Sequence, residues 1–288
     1  MASTKPHCAE AEEARLERLH GRAYALFYGH AGRRDRRRAV RLYRAAAEGG
    51  LAHTWRNLGL CFEYGDGVRK DLRRAFACYM RGAELGDSPA KRCVAACLIS
   101  GSGVKRDADA GLALLARDAR RDVDSRRELA RRLLEGDGVE QDTARGLRLL
   151  RRGAAAGHAA CWSDLAVQLH DHGRSPRARQ EATELCKRAA RAGVAQACVN
   201  LARAYSSGDG VRQNERAAVA WLKRAVECDA PGEFGCDDAY LLLAQHHLAG
   251  RGVRKSLRAA ERLLEFAARC GSERARRRLR ALRRGLRR

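Results

Sequence analysis

The chain has 288 residues, 45% of them hydrophobic and only 5% aromatic, and 58 Lys+Arg against 35 Asp+Glu give a net charge of +23. That apolar content excludes a disordered chain, and the shortage of aromatic residues argues against a strand-rich fold. No uncharged apolar run reaches the ~18 residues of a membrane span, so a soluble protein with no membrane partner is expected.

In chain order, residues 1–13 read as an N-terminal tail. Pro6, His7, Glu10, Glu12 and Glu13 interrupt any apolar core, so neither a secretory signal nor an acid-avoiding mitochondrial presequence is expected. A reducing cytoplasmic setting follows, with the nucleus as the alternative and secretion excluded. There the odd count of 11 cysteines reads as thiols.

The rest of the chain is organised by a repeat. Gly-x-Gly-Val starts at Gly65, Gly101, Gly136, Gly208 and Gly250, where background usage would give roughly 0.1 occurrences. The double interval before Gly208 points to a degenerate copy at His172, and one period before Gly65 lies another at Gly29. Seven units therefore span residues 14–271, with position zero at 29, 65, 101, 136, 172, 208 and 250. Pro231, Gly232 and Gly235 mark a loop of extra residues before the last unit.

Each unit predicts two helices. Six residues before position zero stand Ala23, Gly59, Ala95, Ala130, Ala166, Ala202 and Ala244; ten after it stand Ala39, Ala75, Gly111, Gly146, Ala182, Ala218 and Ala260. Small residues at fixed helical positions let two backbones approach closely. A third small series, eighteen after position zero, runs from Ala47 through Ala83 and Ala154 to Ala268, with Val226 in the sixth unit. Larger residues fill between: Phe62, Leu98, Leu133, Leu169 and Tyr205 on first helices, Tyr43, Tyr79, Leu115, Leu150, Leu222 and Leu264 on second ones. The first loop glycine suits a left-handed cap. Asp35, Asp71, Asp107, Asp142, Asn214 and Ser256 suit N-caps of the second helix, with Ser175-Pro176 as the fifth unit's substitute. A lone pair cannot bury its apolar stripe, so the units must stack.

Unit two carries the pattern best: Ala52, Leu58-Gly59, Phe62, Gly65-Asp66-Gly67-Val68, Asp71, Ala75, Tyr79, Ala83 and Gly86. This resembles the Sel-one-like repeat family, related to the tetratricopeptide repeats. The resemblance implies an all-α, curved α/α solenoid of about seven helix-loop-helix repeats that holds partner proteins together, without catalysis. Units one and five depart at the loop, and unit four has Arg126 where others have Trp55 or Trp162, so local distortion is expected there.

Chemistry elsewhere is thin. The glycine loops lack the Gly-Lys-Ser/Thr of a phosphate cradle. Cys61, Cys93 and Cys97 lack a fourth zinc ligand and read as small apolar fillers, together with Cys78, Cys161, Cys186 and Cys198. His246-His247 and His170/His172 read as solvated or packed. Some secreted relatives of the resembled family carry hairpin-bridging disulfides and are linked with β-lactam binding. Cys228 and Cys236 fit that spacing once, which leaves a cysteine-containing β-lactam-binding or hydrolase protein as a minor alternative. No catalytic, metal or cofactor residue is assigned, and a non-enzyme is expected.

Two binding surfaces are expected. First helices should line a concave groove for a protein or peptide partner, through Asn57, Glu128, Arg131, Asp164, Gln168, Asn200, Arg203 and Gln245. Amides there can bond a peptide backbone, and arginines its carboxylates. Residues 272–288 should form a basic capping helix that buries Ala275, Leu279, Leu282 and Leu286. Its Arg276, Arg277, Arg278, Arg280, Arg283, Arg284, Arg287 and Arg288 would face outward, which makes a basic nucleic-acid-binding repeat protein the alternative reading.

Overall fold

The computed structural model describes residues 6–30, 32, 34–172, 175–228, 237–270 and 272–285. Among the described residues there are fifteen helices and no strand. Seven pairs follow in order: Pro6–Tyr28 (α1) with Arg36–Glu48 (α2), Ala52–Tyr64 (α3) with Leu72–Glu84 (α4), and Ser88–Ser100 (α5) with Ala108–Asp118 (α6). Then come Val123–Glu135 (α7) with Thr143–Ala155 (α8), and Ala159–His172 (α9) with Pro176–Arg191 (α10). Ala195–Ser207 (α11) with Glu215–Cys228 (α12), Asp237–Ala249 (α13) with Leu257–Arg269 (α14), and a last helix, Glu273–Gly285 (α15), complete the chain. Sequential helices pack on one another from α1 to α7 and again from α9 to α15, as in an all-α solenoid.

Two compact units result, Met1–Leu149 and Leu150–Arg288, where the sequence pattern alone runs as one array. The tail expected over residues 1–13 is helical from Pro6 onward. Ala9, Glu10, Ala11, Glu12 and Glu13 are good or neutral helix formers, and Arg15 pairs with Glu12 one turn back at 3.2 Å.

The loops form for the reasons their residues suggest. Gly65, Gly101, Gly136 and Gly208 close α3, α5, α7 and α11 in the left-handed region, with φ between 68° and 79°. The Asp71 carboxylate then accepts from the Arg74 N–H at 3.0 Å, and Asp35, Asp107 and Asp142 do the same at their helices. In unit five Ser175 accepts from the Ala178 N–H at 3.1 Å, ahead of Pro176 in the first turn.

The second loop glycine has a role the sequence pattern did not suggest. Gly67, Gly103, Gly210 and Gly252 each lie against the backbone of the preceding unit's second helix, at Arg36, Leu72, Arg179 and Glu215. A β-carbon on Gly67 would stand 2.5 Å from the Arg36 carbonyl oxygen, so no larger residue fits. These glycines are contacts between repeats.

The core follows the expected series. Ala23, Ala95, Ala130, Ala166, Ala202 and Ala244 are all buried, as are Tyr43, Tyr79, Leu115, Leu150, Leu222 and Leu264. Gly59 is glycine because the Tyr79 ring occupies the space of its missing methyl. Eighteen residues after position zero, Ala47, Ala119 and Ala190 are buried, while Ala83, Ala154, Val226 and Ala268 are half-buried. Buried small residues also stand one position earlier, at Ala46, Ala189, Ala225 and Ala267.

Unit four is not distorted at Arg126. The guanidinium is buried, its Nε donating to the Ala119 carbonyl at 3.0 Å. Trp162 makes the same bond from its indole N–H to the Ala154 carbonyl at 2.9 Å. Arg126 thus reaches the carbonyl that Trp162 reaches in its own unit, and adds a second bond from Nη2 to the Arg120 carbonyl at 3.4 Å, whereas the Trp55 indole N–H at this register is buried without a partner.

Candidate partner-binding face

First helices carry every residue expected in the groove, and each unit is considered by itself. In the N-terminal unit Asn57 lies on α3, and Glu128 and Arg131 on α7, all three half-buried. Arg131 is already engaged: it holds Glu128 at 2.9 Å, Glu135 at 2.5 Å and Asp137 at 3.2 Å. Arg132, buried beside it, also takes Glu128 at 2.8 Å. Burial alone would raise the Glu128 carboxyl, but hydrogen bonds and charge from Arg131 and Arg132 hold it below its ordinary range. Arg131 itself is held above its ordinary value by the Glu128 hydrogen bond.

In the C-terminal unit Asp164 and Gln168 lie half-buried on α9, Asn200 and Arg203 on α11, and Gln245 on α13. Arg203 reaches Asp238 at 2.5 Å, and Arg274 of α15 shares that carboxylate at 2.9 Å. With its amide oxygen turned toward α15, Gln245 accepts from Arg278 Nη2 at 2.8 Å. Asn200 accepts from Gln196 at 3.1 Å. The arginines expected to receive a partner's carboxylates are therefore neutralised within the chain, and what they offer is shape and hydrogen bonding. Helical spacing already offers Glu128 and Glu135 to Arg131, but the approach of Asp137 from the loop and of Asp238 from the next first helix is not visible in it.

The capping helix is present. Ala275 is fully buried, and Leu279 and Leu282 pack on Tyr240, Leu264 and Ala267. Arg276, Arg277, Arg278, Arg280, Arg283 and Arg284 are exposed. Leu286, Arg287 and Arg288 lie outside the described residues. Several of these arginines are paired: Arg283 with Glu261 at 2.7 Å and with Glu265, and Arg276 and Arg280 with Glu273 at 3.4 and 3.3 Å. The carboxylates of Glu261 and Glu265 raise the Arg283 guanidinium's pKa through hydrogen bonds and charge.

The cysteines of the described core are free thiols. Cys61, Cys78, Cys97, Cys161, Cys186 and Cys198 are buried, Cys93 is half-buried, and Cys228 and Cys270 are exposed. Burial pushes the Cys61 thiol up to about 12 and Cys78, Cys93, Cys97 and Cys186 up to about 11, which disfavours the thiolate a metal or a disulfide exchange needs. Cys236 lies outside the described residues. Among the described residues no group of three His, Cys, Asp or Glu could hold a metal ion. His246 is packed, its Nδ1 2.9 Å from the Arg251 carbonyl oxygen, and His170 is exposed with its Nε2 2.7 Å from Asp209. Among the described residues, no helix is long and apolar enough to cross a membrane.

Comparison with known proteins agrees with this architecture. No curated protein matches the sequence. Among solved structures, a Sel1 repeat protein from Oxalobacter formigenes superposes with a TM-score of 0.64 at 21% identity, covering 88% of this chain and 99% of that one. Two immunity proteins of Pseudomonas aeruginosa, Pa5087 and PA5088, superpose at 0.58 and 0.55 with 19% and 18% identity. Each comparison covers 82% of this chain, and 87% and 86% of the respective relative. At these identities the likeness is one of fold. The Sel1 repeat pattern itself matches seven times, at residues 19–51, 56–87, 94–121, 123–158, 163–194, 195–229 and 237–272, and the chain belongs to the Sel1 repeat family.

Proposed function

We propose that this chain is a non-enzymatic scaffold that holds a partner protein, or an extended peptide segment of one, on the faces of the first helices within its units. Sel1 repeat proteins are helical repeat scaffolds that generally serve as protein-interaction modules. The observation carrying the reading is the repetition of half-exposed amides at one helical register, Asn57 on α3 and Asn200 on α11. Amides so placed can bond the N–H and C=O groups of an extended backbone, the part of a peptide that does not depend on its sequence. Polar first-helix positions suit such a partner better than a small apolar ligand, which needs a closed hydrophobic pocket.

The test is affinity capture from native cells, with and without nuclease, followed by Asn57→Ala with Asn200→Ala. A partner protein that survives nuclease and is weakened in the folded double variant supports the reading. Recovery that depends on nucleic acid would favour the exposed arginines of α15 as the binding surface. Undiminished binding by the double variant would move the site off the first helices.

A further inference from the structure

Nine residues before position zero, the four first helices of the N-terminal unit carry His20, Arg56, Arg92 and Arg127. At the same register the C-terminal unit has Ser163, Val199 and Leu241. One basic side chain per helix is thus a property of the N-terminal unit alone.

The members of this row differ in how they are compensated. Arg92 donates to Asp122 at 2.9 Å and lies 3.8 Å from Asp124. Arg127 is engaged within the chain. The His20 Nδ1 stands 3.1 Å from the Thr54 hydroxyl, and burial first, then His53 and Arg56, lower its pKa against the pull of Glu17. Arg56 is the exception. Its Nε is buried with no hydrogen-bond partner, and no carboxylate of the described residues lies within ion-pair distance. Two nearby acids are already committed: Glu63 of the same helix accepts from the Tyr79 hydroxyl at 2.5 Å, and Glu17 of α1 lies 3.9 Å from His53.

A guanidinium in this state has lost part of its hydration without a return. The unmet donor is costly, and lowered local dielectric strengthens its attraction to an incoming anion. The Nη groups of Arg56 are not among the buried, unpartnered atoms, and a carboxylate that meets them end-on compensates the guanidinium's charge. Asn57, the next residue, is half-exposed and can hold the backbone that carries the carboxylate.

We propose that Arg56 anchors an Asp or Glu side chain of an extended acidic peptide, with Asn57 holding the adjoining peptide bond. This rests on the partner-binding reading above and names the chemistry of that partner. It also assigns the specificity to the N-terminal unit, since the matching arginines of the other first helices are paired.

The experiment uses the full chain labelled with ¹⁵N-arginine and ¹⁵N-asparagine, following the arginine Nε–Hε and asparagine side-chain amide resonances at about 0.15 M salt, where exposed charges are screened. Arg56→Gln assigns the resonance by its loss. Tetraglutamate should shift the Arg56 resonance saturably, and tetraglutamine should leave it in place. Binding followed at the side-chain amide of Asn57 should fall roughly tenfold or more in Arg56→Gln, the factor expected for one lost charge-assisted bond. Arg56→Lys, which keeps the charge without the fork, should lose several-fold. If the glutamine variant fails to fold, Arg56→Lys assigns the resonance in its place and the titration of the unmodified chain still decides. An Arg56 resonance that does not move, or that moves no further than those of the exposed arginines of α15, overturns the proposal. Capture of no partner protein, with the Arg56 shift intact, would instead count against the scaffold reading alone.

Discussion

The Nε of Arg126 donates to the carbonyl of Ala119, and this bond closes the C-terminal turn of α6 against the next helix pair. Ala154 and Ala190 occupy the register of Ala119 in later units, and their carbonyls accept from the Trp162 indole and, at 3.8 Å, from the Cys198 thiol. Three unlike side chains therefore serve one acceptor. Arg126→Leu should leave the Ala119 carbonyl buried and unpaired, costing about 1–3 kcal/mol. Arg126→Trp should retain most of the stability. Urea denaturation of the two variants distinguishes them, and equal losses would show that the N–H is not what matters.

The two loop glycines should differ in their tolerance of a methyl group. Gly101 and Gly103 both have positive φ, 78° and 73°. A β-carbon on Gly101 would meet the Arg106 side chain at 3.2 Å, whereas one on Gly103 would overlap the Leu72 carbonyl oxygen. Gly101→Ala should cost about 1–2 kcal/mol, the usual penalty of the left-handed region. Gly103→Ala should cost visibly more, because rigid backbone must give way. A smaller loss at Gly103 in thermal or chemical unfolding would contradict the packing described.

The thiols predict an alkaline limit. Cys61, Cys78, Cys93, Cys97 and Cys186 hold their protons above the ordinary value near 9, up to about 11 or 12. Above pH 9 the unfolded chain loses these protons first and so binds fewer than the folded chain. Stability is therefore full below pH 9 and falls as pH rises toward 11–12. Replacing Cys61 with Ala should flatten that fall. At pH 8, a thiol reagent should modify the exposed Cys228 and Cys270 well before the buried set.

Removal of α15 should destabilise the C-terminal unit. Ala275, Leu279 and Leu282 cover Tyr240, Leu264 and Ala267, and would leave them facing water. Leu279→Ser with Leu282→Ser should lower stability by roughly 2–4 kcal/mol, given half-burial of each leucine. Arg283→Gln should change it little, since water screens an exposed ion pair and ordering its long side chains offsets much of the attraction. Comparable losses in the two experiments would make the helix a charged clasp rather than an apolar cover.

What was legible in the sequence is what recurs with the period. Caps at Asp35, Asp71 and Ser175, small residues at Ala23 and Ala130, and fillers at Tyr79 and Leu264 all follow from local chemistry and helical spacing. The equivalence of Arg126 and Trp162 was not legible, because it depends on where a side-chain donor ends rather than on what type it is. The seat of Gly67 against Arg36 was missed for a related reason: a helix cap already explained a glycine nearby. The pairing of Arg131 with Glu128 and Glu135 was open to helical spacing, whereas that of Arg131 with Asp137 and of Arg203 with Asp238 was not, because those carboxylates approach from a loop and from the next first helix.

The seat of the second loop glycine also gives the array a direction. Gly67, Gly103, Gly210 and Gly252 all rest on a helix that precedes them in the chain, and Trp162 and Cys198 likewise bond backward to carbonyls already made. These four loops find a support upstream, while Arg106 of the third loop also donates forward to the Gly138 carbonyl at 3.1 Å. A ribosome extruding this chain would release these loops with that upstream support already synthesised, so the repeats within a unit can close one after another in the order of translation. Truncation should be unequal for the same reason: loss of a last repeat leaves earlier loops seated, while loss of a first repeat unseats the loop behind it.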